Sequence, residues 1–569
     1  MRDHPRPPTA TACCLLLTAC CLLPAAHSEP APEARFAAMS PDEVRAYERE
    51  TLQRVADLSL IPPVINTHPL PKYDYSQLDY GMTIGIARTP GGRLWAAWIG
   101  GEDGPKAFMV AASSDDDGET WSKPRLVVDS QAPNLPLSRS VIIGNFWTAP
   151  DGRLWFFFDQ TMNQYDGRQG VWVSICDNPD AAEPAWSAPK RIWHGAVLNK
   201  PTVLASGEWL LPVEFPAFSG IGPMRFANLE LEPLHGANVF ASADQGKTWT
   251  RRGCVRFPRP DWDEHMFVEL KDGRIWMLAR TGTGVMQSFS KDGGRTWDAP
   301  TAAPFKHPVA RFHIRRLASG RILLVKHGRT IDTHEGRALL TAWLSEDEGQ
   351  TWKGGLMLDE RKGISYPDGF QAPDGTLYIS YDRNRSTDGE ILMARFTEGD
   401  ILAGKLVGPK SKLQMLISRP LKNVLRKLEA DAVAQPLRAS PAAELKPAGG
   451  EVRTLEKGAK IYTDRPYTIH ELPAALAGKR FIQTRIGQVE ATCSQEGMAY
   501  VLTPSSSRNP HDNVVGELLA QGFEKAAVPE FVYTLVDGQA RPQETCAVFQ
   551  KSLKTGETVR FGRWGVLVF

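Results

Sequence analysis

A glutamate, a tyrosine and several basic side chains stand at equivalent places in a repeated strand pattern of this chain. Each precedes an apolar strand that opens behind a glycine turn, and the set is Met82, Asn145, Lys200, Glu264, Arg311 with His313, and Tyr366. A glutamate within hydrogen-bond reach of a tyrosine can draw off the phenol proton while the oxygen forms a new bond. If the fold brings these strand starts together, an acid, bases and a tyrosine share one rim, where nucleophilic chemistry is available.

The elements that must position these residues are six glycine-led strands. They read GGRLWAAW from Gly91, DGRLWFFF from Asp151, SGEWLLPV from Ser206, DGRIWMLA from Asp272, SGRILLVK from Ser319 and DGTLYISY from Asp374. Their spacing of roughly 50 to 65 residues is close to the length of one propeller blade. The pattern predicts an all-β chain with a six-bladed β-propeller, in which residues before the inner strands converge on one mouth.

Four copies of a second motif, SxDxGxTW, support the same architecture. They run from Ser114 to Trp121, Ser242 to Trp249, Ser290 to Trp297 and Ser345 to Trp352. Each predicts a hairpin turn in which the Asp carboxylate accepts backbone N–H groups and the Gly supplies a positive φ. We expect these turns to be scaffold on outer hairpins, and not a metal site.

The two repeats together resemble the sialidase (neuraminidase) superfamily of BNR/Asp-box β-propellers, and the resemblance extends from about Tyr80 to Arg385. Glu264 begins EHMFVELKDGRIWMLAR, similar to the stretch in which a sialidase Glu precedes two strands and a carboxylate-binding Arg, here Arg280. Arg337 precedes an Asp-box strand as another sialidase arginine does, and Tyr366 resembles the nucleophilic tyrosine.

The resemblance implies a role for each of these residues. A charged nucleophile would be repelled at an anomeric centre that already bears a carboxylate, so Tyr366 takes that place and Glu264 accepts its proton. Arginines hold the substrate carboxylate through paired charge-assisted hydrogen bonds. The acid that protonates the leaving oxygen lies in the loop from Gly100 to Gly104, which offers Asp103 and Glu102. We favour Asp103 because the acid of the family is an Asp.

One departure from the family is plain. Sialidases open the first blade with an Arg-Ile-Pro segment, whereas this chain has GMTIG from Gly81 to Gly85. Carboxylate binding then depends on Arg280 and Arg337, with further candidates Arg139, Lys200, Arg311 and His313. For His313, as for Asn145, binding of channel water alone is the competing interpretation. The substrate need not be ordinary sialic acid.

The N-terminus carries an export signal. Arg2 and Arg6 precede an apolar run from Ala10 to Leu23 and small residues near Ser28. Within the run, LTAC also matches a lipobox, which would make Cys20 a lipid-bearing N-terminus and the only membrane attachment. We therefore expect a secreted or periplasmic protein, cleaved near residue 28 or anchored at Cys20.

Composition and motifs divide the rest of the chain. The predicted segments are a signal at 1–28, a helical extension at 29–72, the propeller at 73–404, a linker at 405–450 with a helix near 421–430, and a small β accessory domain at 451–569, structural or carbohydrate-contacting. The 66 basic and 65 acidic residues nearly balance, so nothing suggests nucleic acid as a partner. No CxxC or HExxH motif occurs in the mature chain, and we expect no metal or other cofactor.

These features favour an exo-glycosidase that hydrolyses a terminal acidic sugar, such as sialic acid, from a glycan or glycoconjugate. Two alternatives stay open. The absent first arginine suits a sialidase-like lectin that binds glycans without cleaving them. A hydrolase or lyase acting on another ulosonic or uronic acid is the third hypothesis, and the pairing of Tyr366 with Glu264 argues against the lyase.

Overall fold

The computed structural model describes residues 40–420, 434–438, 441–504, 514–528, 531–532, 535–536, 539–540, 545–562 and 564–569. The chain divides into two compact units, Met1–Pro420 and Leu421–Phe569. The predicted signal, Cys20 and the predicted helix at 421–430 lie outside the described residues. Among the residues that are described, no helix has the length and apolar character needed to cross a membrane.

The first unit begins with helix α1, Pro41–Asp57. Its start is a capping box, because the Ser40 hydroxyl accepts the N–H of Glu43 and the Glu43 carboxylate accepts the N–H of Ser40. Proline suits the first helical position because its missing N–H would have no helical partner. Short 3-10 helices lie at Leu58–Leu60, Pro71–Tyr73, Tyr75–Gln77, Gly222–Met224 and Leu229–Leu234.

Six four-stranded antiparallel sheets then follow one another along the first unit. The first sheet holds β1 Met82–Arg88, β2 Leu94–Gly100, β3 Phe108–Ser114 and β4 Leu126–Val128. The second sheet holds β6 Gly144–Thr148, β7 Leu154–Asp159, β9 Val171–Cys176 and β10 Lys190–Trp193. Two further short strands, β5 Arg139–Ser140 and β8 Thr161–Met162, pair with each other and lie in the chain before and within the second sheet. The third holds β11 Thr202–Val203, β12 Trp209–Phe215, β13 Gly236–Ser242 and β14 Thr250–Val255.

The fourth sheet holds β15 Pro260–Glu269, β16 Ile275–Thr281, β17 Gly284–Ser290 and β18 Thr301–Ala302; the fifth holds β19 His313–Arg316, β20 Ile322–His327, β21 Ala338–Ser345 and β22 Lys353–Lys362; the sixth holds β23 Ile364–Gln371, β24 Leu377–Arg383, β25 Glu390–Phe396 and β26 Lys412–Ser418. Helix α2, Glu398–Ala403, joins the last two strands. The glycine-led segments form the second strand of each sheet, as their apolar sequences require. The prediction of a mostly β chain is confirmed, and no sheet among the described residues closes on itself.

The sheets contact one another through their first or second strands. β1 contacts β6, β12 contacts β15, β15 contacts β19, β19 contacts β23, and β23 contacts β1. The first and sixth sheets are therefore neighbours although they lie almost 300 residues apart in the chain, as the bond from the Ile86 N–H to Asp368 shows (|i−j| = 282). This arrangement places the starts of β15 and β23 near the same centre.

The predicted end of the repeat region at residue 404 is wrong by one strand. Residues 412–418 form β26, the outer strand of the sixth sheet. Leu413, Met415 and Ile417 point inward in alternation with exposed neighbours, a pattern that the surrounding basic residues obscure in the sequence. The linker prediction fails at its other end too, because residues 444–447 already form a strand of the second unit.

All four SxDxGxTW turns have one geometry. The aspartates Asp116, Asp244, Asp292 and Asp347 each accept the backbone N–H and the hydroxyl of the Thr four residues later, and the motif Ser accepts the N–H of the motif Gly. Every motif glycine has a positive φ. These contacts satisfy the turn internally and make it scaffold.

The second unit is also mostly β. Its strands are β27 Glu444–Pro447, β28 Glu451–Thr454, β29 Arg480–Gln483, β30 Val489–Gln495, β31 Gly497–Pro504, β32 Glu524–Lys525, β33 Phe531–Val532, β34 Leu535–Val536, β35 Gln539–Ala540, β36 Thr545–Leu553, β37 Thr558–Phe561 and β38 Val566–Val568, with helix α3 at Val515–Ala520. The apolar C-terminal run pairs as β38 between β29 and β31, which buries it. The cysteines at 176, 254, 493 and 546 form no disulfide.

Candidate functional site

Glu264 and Tyr366 both lie in bulges of the leading strands. The register of β15 against β16 shifts between Asp263 and Met266, and the register of β23 against β24 shifts between Ser365 and Asp368. Glu264 has a φ of 25° and Tyr366 a φ of 53°, which are costly values for residues with a Cβ. A bulge re-aims its side chain relative to a regular strand. Here the two bulges turn these side chains toward each other.

The Tyr366 hydroxyl donates a hydrogen bond to Glu264 Oε1 at 2.6 Å. Both residues are buried, with 6% and 1% of their surfaces exposed. Burial raises the pKa of Tyr366 well above its usual value, and the charge of Glu264 adds to the rise, against the opposing effect of Arg280 and Arg385. The free site therefore holds a neutral phenol with its proton directed at a carboxylate.

Arg280 is bound mainly by acids of the protein itself. It lies on β16, where its neighbour in register is Asp263. Its Nη1 donates to Glu264 Oε1 at 2.8 Å and lies 3.4 Å from the Tyr366 hydroxyl, and its Nε is 2.7 Å from Asp261 Oδ2. Burial alone would lower the pKa of Arg280, but these anionic neighbours raise it. Arg280 orients the carboxylate that faces Tyr366.

Arg337 is different, because no carboxylate among the described residues lies within ion-pair distance of it. Its Nη1 donates to Ser365 Oγ at 2.8 Å, and its Nη2 reaches the carbonyl of Val309 at 3.4 Å. Its guanidinium lies 5.9 Å from the centre of the Tyr366 ring. Burial and the neighbouring Arg385 lower the pKa of Arg337. A half-buried cation without an acid beside it is a place where an anion binds favourably.

Arg385 is a member of this site that the sequence analysis missed as a functional residue. It follows β24, and its Nη2 donates to the same Ser365 hydroxyl at 3.1 Å. Its Nε donates to Asp382 at 2.9 Å, and its guanidinium lies 4.1 Å from the centre of the Tyr366 ring. The sequence offered one indication of its place: Arg385 comes two residues after the last glycine-led strand, and Arg280 lies near the end of an earlier one. We call Tyr366, Glu264, Arg280, Arg337 and Arg385 the tyrosine cluster.

The loop after β2 offers two acids, and the structure separates them. Asp103 Oδ2 lies 3.6 Å from Arg385 Nη1, and its side chain is 51% exposed. Glu102 instead turns back on its own loop, where Oε1 accepts the N–H of Lys106 at 2.9 Å. Only Asp103 therefore contacts the tyrosine cluster.

Lys200, Arg311 and His313 do not line an open surface, in contrast to the predicted substrate contacts. Asp368 Oδ1 accepts Arg311 at 3.0 Å, and Asp368 Oδ2 is paired with Lys200. Arg311 is 0% exposed, and His313 is buried as well. Burial lowers the pKa of His313 to about 3, so its imidazole is neutral. The sequence could not reveal how far each strand start lies beneath the surface of the site.

These side chains instead form a support cluster, which we define as Asn145, Asn199, Lys200, Arg311 and Asp368. Its hydrogen bonds also include the backbone of the first and fourth sheets and of the segment leading into the third, at Ile84, Ile86, Leu198, Glu264 and His265. Burial would raise the pKa of Asp368, but the two cations lower it. Burial lowers the pKa of Lys200 to about 8 against the pull of Asp368. The cluster ties the leading strands together beside Tyr366, since Arg311 lies 5.9 Å from its ring.

Arg139 lies elsewhere. Its Nε donates to the carbonyl of Ser130 at 3.1 Å and its Nη1 to that of Leu58 at 2.9 Å. Burial lowers its pKa. The predicted role in substrate binding is replaced by one in joining the 3-10 segment after α1 to β5. Within the described part of the chain no group of His, Cys, Asp or Glu side chains is placed to hold a metal ion.

A model of the BNR repeat-like domain matches residues 92–379, just over half of the chain. No curated protein matches the sequence. Among solved structures, a leech intramolecular trans-sialidase shares 14% identity over 59% of this chain and 70% of its own, with a TM-score of 0.44. An intramolecular trans-sialidase from Ruminococcus gnavus shares 14% over 59% and 98%, with a TM-score of 0.43. A Trypanosoma rangeli sialidase in complex with sialic acid shares 12% over 86% and 91%, with a TM-score of 0.38. These similarities are too distant to assign an activity.

Proposed function

Because the chain belongs to the BNR repeat-like family, as its Asp-box turns predicted, we propose that it is an exo-glycosidase acting on a terminal acidic sugar of glycans. Sialic acid is the first candidate for that sugar. The observation that carries the proposal is the 2.6 Å hydrogen bond from Tyr366 to Glu264, close to Arg337, which has no carboxylate at ion-pair distance among the described residues. The first two residues supply a nucleophile with its base, and the third attracts an anionic substrate.

We also propose that the first unit is a six-bladed β-propeller. Six successive four-stranded sheets supply one blade each. Contacts between β23 and β1 bring the last blade beside the first, and the support cluster then lies on the common axis. The tyrosine cluster occupies the mouth.

The proposed reaction proceeds in two displacements. As the Tyr366 oxygen bonds to the anomeric carbon, Glu264 takes the phenol proton, and Asp103 gives a proton to the departing glycan oxygen as its bond to the sugar breaks. Water then attacks the same carbon, giving its proton to Asp103, while the bond to Tyr366 breaks and the phenol recovers its proton from Glu264. The two displacements give retention of configuration.

The test is release of product from fluorogenic glycosides of sialic acid, ketodeoxynononic acid and glucuronic acid. We expect one of these to be cleaved by the wild type and not measurably by Tyr366→Phe. Tyr378→Phe is the matched control, because this buried tyrosine bonds Asp117 and lies outside the tyrosine cluster. Full activity in Tyr366→Phe would remove the nucleophile. Binding of an acid without turnover by the wild type would establish the lectin hypothesis, and an unsaturated product the lyase.

We propose export of the protein from the N-terminal signal. N-terminal sequencing of the mature chain is expected to start near residue 29. A blocked N-terminus that carries a lipid at Cys20 would show instead that the protein is lipid-anchored there.

A further inference from the structure

Arg385 reaches the tyrosine cluster from beside the start of β1. The N–H of Gly81, which opens the GMTIG segment, donates to the carbonyl of Arg385 at 3.1 Å. The loop after β24 thereby lies against the start of β1. The loop after the sixth sheet's second strand thus brings a guanidinium to the start of the first sheet.

The guanidinium of Arg385 is held ready on several sides. Asp382, which is fully buried, accepts its Nε, and Ser365 accepts its Nη2. The ring of Tyr366 supports it at 4.1 Å, within the range of a cation–π contact. Its side chain is 14% exposed, so it is anchored and still accessible. Such a guanidinium loses little conformational freedom when it binds an anion.

Arg385 and Arg337 form a pair because they share one acceptor. Ser365 Oγ receives Arg337 Nη1 and Arg385 Nη2. Two cations at one hydroxyl repel each other, and Arg385 contributes to lowering the pKa of Arg337. A carboxylate between them removes this repulsion. Arg280 is less available, because Glu264 and Asp261 already pair with it.

Besides Asp382, Arg385 has a second acid close by, Asp103, which is the acid of the proposed reaction. Asp103 Oδ2 is 3.6 Å from Arg385 Nη1, beyond hydrogen-bond distance, and half of its side chain faces solvent. A half-exposed ion pair of this length is weak. A substrate carboxylate that bonds both guanidiniums would displace it.

We infer that Arg337 and Arg385 together bind the substrate carboxylate, and that this carboxylate replaces Asp103 as the partner of Arg385. The exchange frees the Asp103 carboxylate, which takes a proton from solvent water and then gives it to the glycosidic oxygen, so acid catalysis becomes available only when an acidic sugar is bound. This inference rests on the proposed function and goes beyond it in naming Arg385 and the exchange. It departs from the expectation that Arg280 and Arg337 form the carboxylate site.

The test measures binding by calorimetry, independently of turnover. The probes are sialic acid, ketodeoxynononic acid and glucuronic acid, each beside its methyl ester, which lacks the charge. We expect Arg385→Gln to weaken the acid by about 10- to 100-fold, as loss of charge-assisted hydrogen bonds does, and the ester by less than about threefold. Arg385→Lys should recover little of the acid affinity, since an ammonium cannot make the paired contact.

Arg383→Gln is the matched control. Arg383 lies two residues away and pairs with Asp388 and Glu390 instead of the tyrosine cluster. We expect it to bind acid and ester as the wild type does. Equal binding of the acid by Arg385→Gln and the wild type, or an equal loss of acid and ester, would overturn the role of Arg385 alone. A wild type that binds none of the acids would overturn the proposed function together with this inference.

Asp103→Asn tests the exchange with the opposite sign. Removing the resident anion should tighten acid binding by about twofold to fivefold, the size of a half-exposed ion pair. In the Arg385→Gln background the same change should have no effect, because the two residues then no longer interact. Weaker acid binding in Asp103→Asn would show that Asp103 contacts the sugar without any exchange.

Discussion

Two groups of charged residues touch the ring of Tyr366, and their charges are balanced in different ways. In the support cluster, Lys200 and Arg311 share the buried carboxylate of Asp368. In the tyrosine cluster, Arg337 has a hydroxyl and a carbonyl for partners. Each cation of the first group therefore has a carboxylate partner inside the protein. In the second group Arg337 has no carboxylate partner among the described residues. The difference separates residues that tie the sheets together from the residue that we propose to bind an anion.

The largest effect is expected from Asp368→Asn, which would break the first group. It leaves two buried cations without their carboxylate, a change that typically costs about 3–5 kcal/mol. Denaturant unfolding should show this loss. Asp298→Asn is the control, because Asp298 is exposed. If both variants unfold alike, the support cluster does not stabilise the fold as we describe.

Two adjacent carboxyls of β15 sharpen the comparison. Glu264→Gln should lower kcat by about 100- to 10,000-fold, as loss of a general base does. Asp263→Asn should keep the activity, because neither oxygen of Asp263 has a hydrogen-bond partner in the described structure. Steady-state kinetics on the cleaved glycoside measures both. Equal losses would show that the bulge, and not the carboxylate of Glu264, carries the effect.

Asp263→Asn also has an expected pH dependence. Burial, with Asp261 and Glu264 adding to it, raises the pKa of Asp263 to about 8 from its ordinary value of 3.8. The folded protein thus keeps a proton that the unfolded chain releases, so wild-type stability falls as the pH rises across this range. The Asn variant lacks this fall, and its advantage in unfolding free energy should grow from pH 5 to pH 8.

Replacing one arginine in each group compares them directly. Arg337→Gln should reduce kcat/KM for the acidic glycoside by about 10- to 100-fold through loss of charge-assisted bonds. Its stability should stay within about 1 kcal/mol of the wild type, since no ion pair is lost. Arg311→Gln should instead lower the free energy of unfolding by more than about 1 kcal/mol, because it removes a buried partner of Asp368. Kinetics and denaturant unfolding of both variants decide the matter.

The smallest effect is expected at the Asp-box turns. Hydrogen bonds from Thr248 and Ser242 lower the pKa of Asp244 to about 2, and those from Thr351 and Ser345 do the same for Asp347. A lowered pKa stabilises the fold above the unfolded value and loses that contribution as the pH falls through the folded value. Melting temperatures of Asp244→Asn and wild type should therefore differ at pH 6 and converge toward pH 2. A constant difference would contradict this.

Sequence reasoning could predict that Tyr366 and Glu264 share one rim, because both precede glycine-led strands and such positions meet in a repeated fold. Their pairing was implied by the family resemblance. The sequence could not predict how deeply each side chain is buried. Arg311 and Lys200 occupy equivalent positions in the strand pattern. Only the three-dimensional packing shows that both are buried and paired with Asp368. Arg385 escaped for another reason. Its approach depends on a backbone contact with Gly81, about 300 residues away in the chain, and no local pattern encodes such a contact.

The outermost strand of the sixth sheet was also missed. β26 pairs along one edge only, and alternate residues of it are exposed, among them Leu416, so its outward face is not uniformly polar in the sequence. Strand patterns are weakest where burial is one-sided and the neighbours are basic. The interior strands, buried on both faces, were the easier ones to recognise from their continuous apolar runs.

The two bulges that aim Glu264 and Tyr366 make the site a trade between stability and activity. Backbone with positive φ is comfortable for glycine and strained for any larger residue, at roughly 1–3 kcal/mol each. A glycine at either position would relax the strand and lose the reacting group. Selection for stability alone would therefore favour other residues at both positions, whereas the proposed reaction needs these two side chains.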